Sequence, residues 1–203
     1  MPALHRSLCL LAPLLAVLPM SPTALAAPLE VTVQDAVGQP VENAVVTVTV
    51  AGAPKTAPAG ASAQVAQQNR QFVPQVTVVQ VGTAVNFPNL DTVRHHVYSF
   101  SPAKTFELKL YAGTPSTPVV FDKAGTAVLG CNIHDRMAAW IAIVDTPYFA
   151  RTDATGHARL DIPEGEHRLR AWQPMAEGAA PVERPVRAGA PGVVLRLAKA
   201  PGA

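Results

Sequence analysis

The sequence is poor in cysteine, with two in 203 residues, and aromatic residues make up only 5% of it. Exported domains often rely on disulfides, but Cys9 lies in an apolar N-terminal stretch that we expect to be removed. Cys131 then has no partner within the mature chain. An unpaired thiol in an oxidising compartment is a liability unless it is buried or bound to a metal. The shortage of cysteine therefore directs attention to Cys131.

The chain also lacks an excess of charge of either sign. The whole sequence carries 16 basic and 14 acidic residues, and residues 1–26 contain one of the bases, Arg6, and no acid. The remainder is close to neutral and has no basic patch of the kind that nucleic-acid-binding proteins show. We therefore expect no nucleic acid among its partners.

Residues 1–26 have the three-part form of a secretory signal peptide. A short basic start at His5 and Arg6 is followed by an apolar stretch from Leu8 to Leu18 and by small residues at 24–26. The apolar stretch is too short to anchor the chain in a bilayer. We expect cleavage after about Ala26, a periplasmic location, and no membrane span in the mature chain.

Short runs rich in Val and Thr, separated by Gly, Pro, Asn and Asp, predict an all-β fold. Alternation in LEVTVQDAVGQPVENAVVTVTV (29–50) predicts two half-buried strands around a turn. A Pro- and Gly-rich stretch at 51–63 reads as a linker, and residues 64–144 form a series of short strands typical of a sandwich or Greek-key barrel. Further on, Asp153 and Gly156 predict a turn in which glycine permits a positive φ.

The segment GCNIHDRM (130–137) places Cys131, His134 and Met137 within seven residues. Thiolate, imidazole and thioether are ligands that suit copper, and two histidines, one cysteine and a long axial methionine form the blue-copper set. The second histidine would come from VRHHVYSF (93–100), which offers His95 and His96. Strand alternation puts these two on opposite faces, so only one should reach the metal.

Simpler interpretations of these residues exist. A lone cysteine is usually a small buried hydrophobe, a methionine near a strand is usually core, and a histidine on a strand is usually structural. Each interpretation would suffice for its own residue. Together they do not explain the spacing of Cys131, His134 and Met137 or the unpaired thiol. A nucleophilic Cys/His pair is a further alternative, but no protease-type sequence surrounds Cys131 and catalysis would not require Met137. We therefore expect no enzyme activity.

Residues 64–144 resemble the cupredoxin family. C-N-I-H-D-R-M has the ligand-loop spacing of amicyanins, and H-H-V-Y-S-F is similar to the H-N-V-x-S stretch of pseudoazurins. Whole-chain composition is also similar to that of bacterial cupredoxin-like proteins labelled as methylamine-utilisation proteins. The resemblance implies one type 1 copper per chain, with Cys131 and His134 as equatorial ligands and Met137 as the axial ligand.

The same resemblance favours His95 as the upstream ligand, because the family's histidine stands two positions before a valine, here Val97. His96 remains an alternative, since alternation places Tyr98 and Phe100 on its face of the strand. With His95 as the ligand, His96 stands where the family has an asparagine.

A second resemblance concerns the two ends of the chain. G-Q-P-V-E-N-A-V-V-T-V and T-D-A-T-G-H-A-R-L-D-I-P-E-G-E-H-R-L are similar to the carboxypeptidase regulatory-like family of transthyretin-like β-sandwiches. We therefore expect a discontinuous sandwich over 28–50 and 147–198, with a Greek-key cupredoxin β-sandwich at 64–146 inserted between its strands.

These resemblances imply a periplasmic protein that carries single electrons between redox partners, such as a c-type cytochrome or a periplasmic dehydrogenase. Two alternatives stay open at this point. One is a copper-binding module for trafficking or storage, and the other is a protein- or carbohydrate-binding β-sandwich without redox function.

Overall fold

The computed structural model describes residues 26–176 and 178–198, and every regular element in this part of the chain is a β-strand. The all-β prediction is confirmed. The predicted signal peptide lies outside the described residues except for Ala26, and the described residues contain no helix long and apolar enough to cross a membrane. The strands are β1 (Ala26–Gln34), β2 (Val45–Thr49), β3 (Ser62–Gln64), β4 (Ala66–Gln68), β5 (Gln71–Val73), β6 (Val76–Gln80), β7 (Thr83–Asn86), β8 (His95–Ser101), β9 (Lys104–Tyr111), β10 (Val119–Phe121), β11 (Gly125–Gly130), β12 (Ala138–Val144), β13 (Tyr148–Arg151), β14 (His157–Pro163), β15 (Glu166–Trp172), β16 (Val182–Arg187) and β17 (Val193–Arg196).

The strands from the two ends of the chain enclose one hydrophobic core. One sheet has the order β14-β1-β17 and a second has the order β13-β2-β15-β16. Alternate residues of β1, namely Leu29, Val31 and Val33, are fully buried, as the period-2 pattern predicts. They pack with Val48 and Leu169 from the second sheet. That this unit belongs to the transthyretin-like class stays a prediction.

The central strands enclose a second core. A five-stranded sheet has the order β6-β12-β11-β8-β9, and a three-stranded sheet has the order β10-β7-β3. Phe121 of the smaller sheet and Leu129 of the larger one belong to the same buried cluster, which also contains Cys131 and Met137. The two sulfur-bearing residues singled out in the sequence therefore lie at one end of a packed core.

Strand β12 connects the two units directly. Its inward residues pack in the second core, while Ala142 and Val144 face outward onto Val45 of β2 and Phe149 of β13. The chain then passes through Thr146, whose hydroxyl donates to the Val48 carbonyl oxygen at 2.6 Å. Since β12 begins at the residue after Met137, the strand that joins the two units also ends the Cys131–Met137 loop.

The predicted linker at 51–63 is held against the fold. Residues 51–61 form no regular strand, but the Ala57 N–H donates to the Val81 carbonyl oxygen at 2.7 Å and the Pro54 carbonyl oxygen accepts from Gln80 Nε2 at 2.7 Å. Strand β3 begins at Ser62, inside the predicted linker, because residues 62–64 pair in parallel with β7.

The strands β1, β2 and β13–β17 form one unit, called the end unit, and two of its turns share the pattern Asp-Ala-x-Gly. In each turn the Asp carboxylate accepts backbone N–H groups two and four residues ahead, and the glycine has a positive φ, +86° at Gly38 and +75° at Gly156. The predicted turn at Asp153–Gly156 is confirmed. The turns differ in their surroundings. A Cβ at Gly156 would lie 2.5 Å from the Val33 carbonyl oxygen, whereas a Cβ at Gly38 would meet nothing within 4 Å.

Replacing each glycine by alanine separates backbone conformation from crowding. Gly38→Ala should lower the free energy of unfolding by roughly 1–2 kcal/mol, the cost of a left-handed residue that bears a Cβ. Gly156→Ala should cost roughly 1–3 kcal/mol more, because backbone atoms must also move apart. Urea unfolding of both variants at unchanged m-value would measure the difference. Equal losses would contradict the close packing at Gly156.

Candidate metal centre

Two segments distant in sequence meet at one end of the second core. His95 opens β8, and the loop from Cys131 to Met137 connects β11 to β12. Cys131 Sγ lies 4.0 Å from His95 Nδ1 and 3.8 Å from His134 Nδ1. One potential ligand atom from each of the three residues lies within 4.8 Å of the other two. His95, Cys131 and His134 could therefore hold a metal ion.

Pairing of β8 with β11 produces this meeting. The two strands are antiparallel, with Tyr98 opposite Gly130. The Tyr98 ring lies against Gly130 so closely that a Cβ there would be 2.6 Å from Tyr98 Cζ. Glycine at this position therefore lets the ring cover the strand end just before Cys131. Alternation then turns His95 and Cys131 toward the same core.

The donor atoms are spaced as a metal would require. Bonds of about 2.3 Å to a thiolate sulfur and about 2.0 Å to an imidazole nitrogen place these two atoms roughly 3.5–3.7 Å apart at tetrahedral to trigonal angles. The two measured sulfur–nitrogen separations, 3.8 Å and 4.0 Å, are slightly longer. The residues present therefore fit a metal ion with only a small contraction of the side chains.

The site is buried on all but one side. His95 is fully buried, Cys131 is 3% exposed and Met137 is 1% exposed, whereas His134 is half-buried. The Met137 N–H donates to the His134 carbonyl oxygen at 2.9 Å, which closes the loop into a turn. Met137 packs in the cluster that contains Cys131, and its role as axial ligand remains a prediction from sequence.

His96 lies on the opposite face of β8. Its ring packs edge-on against Tyr98, with centroids 5.7 Å apart, and Nε2 is 3.0 Å from Glu107 Oε1 without the geometry of a hydrogen bond. On the same face Phe100 is 75% exposed. The aromatic residues that favoured His96 in the sequence therefore lie on the face of β8 opposite to the one that carries His95.

Asp91 is a site residue that the sequence analysis did not identify. Its Oδ2 lies 2.7 Å from His95 Nε2, on the opposite side of the ring from Cys131. Burial would raise the pKa of the Asp91 carboxyl, but hydrogen bonds from the Arg70 N–H, from His95 and from the Asn69 N–H outweigh burial and hold the pKa below its usual range. The available sequence signal was that Asp91 stands four residues before His95. In a loop, unlike in a helix, that spacing does not predict a side-chain contact.

Tyr111 closes the site from strand β9, where it lies opposite His95. Its hydroxyl donates to the Phe87 carbonyl oxygen at 2.6 Å and accepts a hydrogen bond from Gln67 Nε2. Burial raises the pKa of Tyr111, the hydrogen bond from Gln67 lowers it and the charge of Cys131 raises it, and together these effects bring the pKa to about 12. The phenol is therefore a neutral part of the wall at neutral pH.

Comparison with known proteins gives structural neighbours only. No family model and no curated protein matches the sequence. A purple cupredoxin from Nitrosopumilus maritimus is 20% identical over 40% of this chain and 98% of its own, with a TM-score of 0.35. Amicyanin from Paracoccus versutus is 18% identical over 48% of this chain and 96% of its own, with a TM-score of 0.35.

A copper-containing nitrite reductase from Thermus scotoductus is 24% identical over 47% of this chain, which corresponds to 25% of the reductase, with a TM-score of 0.38. The neighbours are cupredoxins and a copper enzyme, but the TM-scores are low and the coverage is partial.

Ionisation of Tyr111 should make the fold sensitive to alkali. An unfolded tyrosine ionises near pH 10, while Tyr111 in the fold stays neutral until about pH 12. The raised pKa contributes stability that is fully present below pH 10 and is lost as the pH rises toward 12. Chemical unfolding at several pH values should show this loss in the wild type and not in Tyr111→Phe. Tyr148→Phe, which keeps Tyr111, should retain it, and identical slopes for all three proteins would contradict the assignment.

Proposed function

We propose that this chain is a periplasmic type 1 copper protein that carries single electrons between redox partners. The observation that carries the proposal is the convergence of His95 Nδ1, Cys131 Sγ and His134 Nδ1 on one point at the edge of a buried core. Met137, which is buried in the same cluster as Cys131, would offer its thioether as a further donor.

The donor set favours copper among the common metals. Thiolate and thioether sulfur select soft ions, and imidazole suits copper as well as zinc. Structural zinc sites use cysteine and histidine in fours, whereas this site offers one cysteine, two histidines and a methionine. Zinc would gain little from Met137, so the thioether is the feature that separates the two metals.

The arrangement suits electron transfer better than substrate turnover. Copper bound here would supply a one-electron couple. Three donors and Met137 leave no open position for a substrate, unlike catalytic metal sites. His95 is held by strand β8 and Cys131 by the end of β11, both inside a packed core, so the ligands have little room to rearrange between oxidation states.

The half-buried His134 is where an electron would enter or leave. Its neighbour Ile133 is 47% exposed, and the loop before His95 exposes Leu90 (60%) and Val93 (38%). Apolar side chains on both loops suit the small, transient interfaces of redox proteins. A c-type cytochrome or a periplasmic dehydrogenase would accept or donate the electron there.

A Cu(II) titration tests the proposal directly. The wild-type protein should develop an intense thiolate-to-copper absorption band that saturates at one copper per chain, and ascorbate should bleach it reversibly. Cys131→Ser should lose the band, because the thiolate is its origin. A colourless protein that retains only Cu(I) would instead support the trafficking or storage module. Copper uptake that is the same in Cys131→Ser as in the wild type would contradict the type 1 site.

The two neighbouring histidines provide a matched pair of variants. His95→Ala should abolish the type 1 spectrum, because it removes a buried donor 4.0 Å from the Cys131 sulfur. His96→Ala should leave absorption and EPR spectra unchanged, since His96 faces Glu107 and Tyr98. If His96→Ala lost the spectrum and His95→Ala kept it, His96 and not His95 would be the upstream ligand.

A further inference from the structure

We propose that Asp91 positions the His95 imidazole for metal binding and links the site to the tip of the β4–β5 hairpin. The inference rests on the proposed copper site and identifies a residue through which the fold controls it. Asp91 would touch no metal, so its action would pass entirely through His95.

The His95 ring lies between a carboxylate and a thiol. Nε2 is 2.7 Å from Asp91 Oδ2, and Nδ1 is 4.0 Å from Cys131 Sγ. A carboxylate accepts hydrogen bonds, so Nε2 carries the proton and the Nδ1 lone pair points at Cys131. Asp91 therefore selects the ring tautomer and the ring orientation that a metal at this position needs.

The carboxylate is itself fixed by the hairpin. Oδ1 accepts the Asn69 N–H at 2.7 Å, and Oδ2 accepts the Arg70 N–H at 2.9 Å. Asn69 and Arg70 both have left-handed backbone conformations, with φ of 55° and 57°, and they form the turn between β4 and β5. With both oxygens occupied by turn N–H groups, the carboxylate has little freedom to rotate away from His95.

The backbone on either side of Asp91 is also held. The Asp91 N–H donates to Asn89 Oδ1 at 3.0 Å. Asn89 Nδ2 donates to the carbonyl oxygens of Val93 at 2.8 Å and Tyr111 at 2.9 Å. The 89–93 loop is thereby tied to itself and to β9, which brings Asp91 to His95 at a fixed distance.

A purely structural role for Asp91, as a clasp for the hairpin, makes a different prediction from a positioning role. A clasp would stabilise the protein whether or not metal is bound, and its loss would leave the affinity of the folded protein unchanged. A positioning residue alters the metal itself, and loss of such a partner typically weakens metal binding by about 10–100-fold.

Asp91→Asn keeps the size of the side chain and removes its charge. Its matched control is Asp153→Asn, because Asp153 also accepts turn N–H groups, from Thr155 and His157, but contacts no ligand residue. For each purified protein, Cu(II) affinity by chelator competition, the EPR spectrum and the reduction potential of the loaded form, and the urea midpoint of the apo form would be measured.

We expect Asp91→Asn to bind Cu(II) about 10–100-fold more weakly than wild type, with altered EPR parameters and reduction potential. Asp153→Asn should shift the urea midpoint alone. Wild-type affinity, EPR spectrum and potential in Asp91→Asn would overturn the inference while leaving the copper site intact. Absence of a thiolate band in the wild type would overturn the proposed function itself, and the inference with it.

A second measurement needs no variant and covers the case in which Asp91→Asn does not fold. In Cu(I)-loaded wild-type protein, the His95 Nε2–H proton should appear in a nitrogen–proton NMR spectrum as a downfield, slowly exchanging signal, because the Asp91 carboxylate accepts it inside the fold. A rapidly exchanging Nε2–H, or a proton on Nδ1, would overturn the inference.

Discussion

The antiparallel register between β8 and β11 is the constraint on which the site depends. Setting Tyr98 opposite Gly130 brings His95 beside Cys131 although 36 residues separate them in the chain. A shift by one residue would turn His95 to the outer face and His96 inward, because successive side chains of a strand point to opposite faces. The Tyr98 ring, which fits over Gly130 only because glycine has no Cβ, disfavours such a shift.

The rest of the central unit keeps that register and its ligands rigid. Tyr111 and Gln67 wall the site from β9 and β4, and Asn89 ties the preceding loop to β9. On the other side, β12 carries the chain from Met137 directly onto the end unit through Val144. The Cys131–Met137 loop is therefore anchored at both ends in packed sheets, which would limit changes of shape in the proposed copper site.

The sequence predicts the strands well where their period is regular. Leu29, Val31 and Val33 alternate and are all buried, and the Asp153–Gly156 turn follows from residue types alone. The side chains of Lys104–Lys109 alternate between partly buried and exposed, and pairing with β8 makes Lys104–Tyr111 the edge strand β9 of the five-stranded sheet.

For the site, the sequence by itself determined the donor types, a thiol, an imidazole and a thioether, because Cys131, His134 and Met137 lie three residues apart in one short loop. It also reduced the upstream donor to His95 or His96. Only the tertiary structure decided which of the two histidines points toward Cys131. Which side of a strand is buried depends on the sheet that packs against it. Asp91 and Tyr111 likewise join the site through contacts between loops and strands, and no local pattern encodes a distance across the fold.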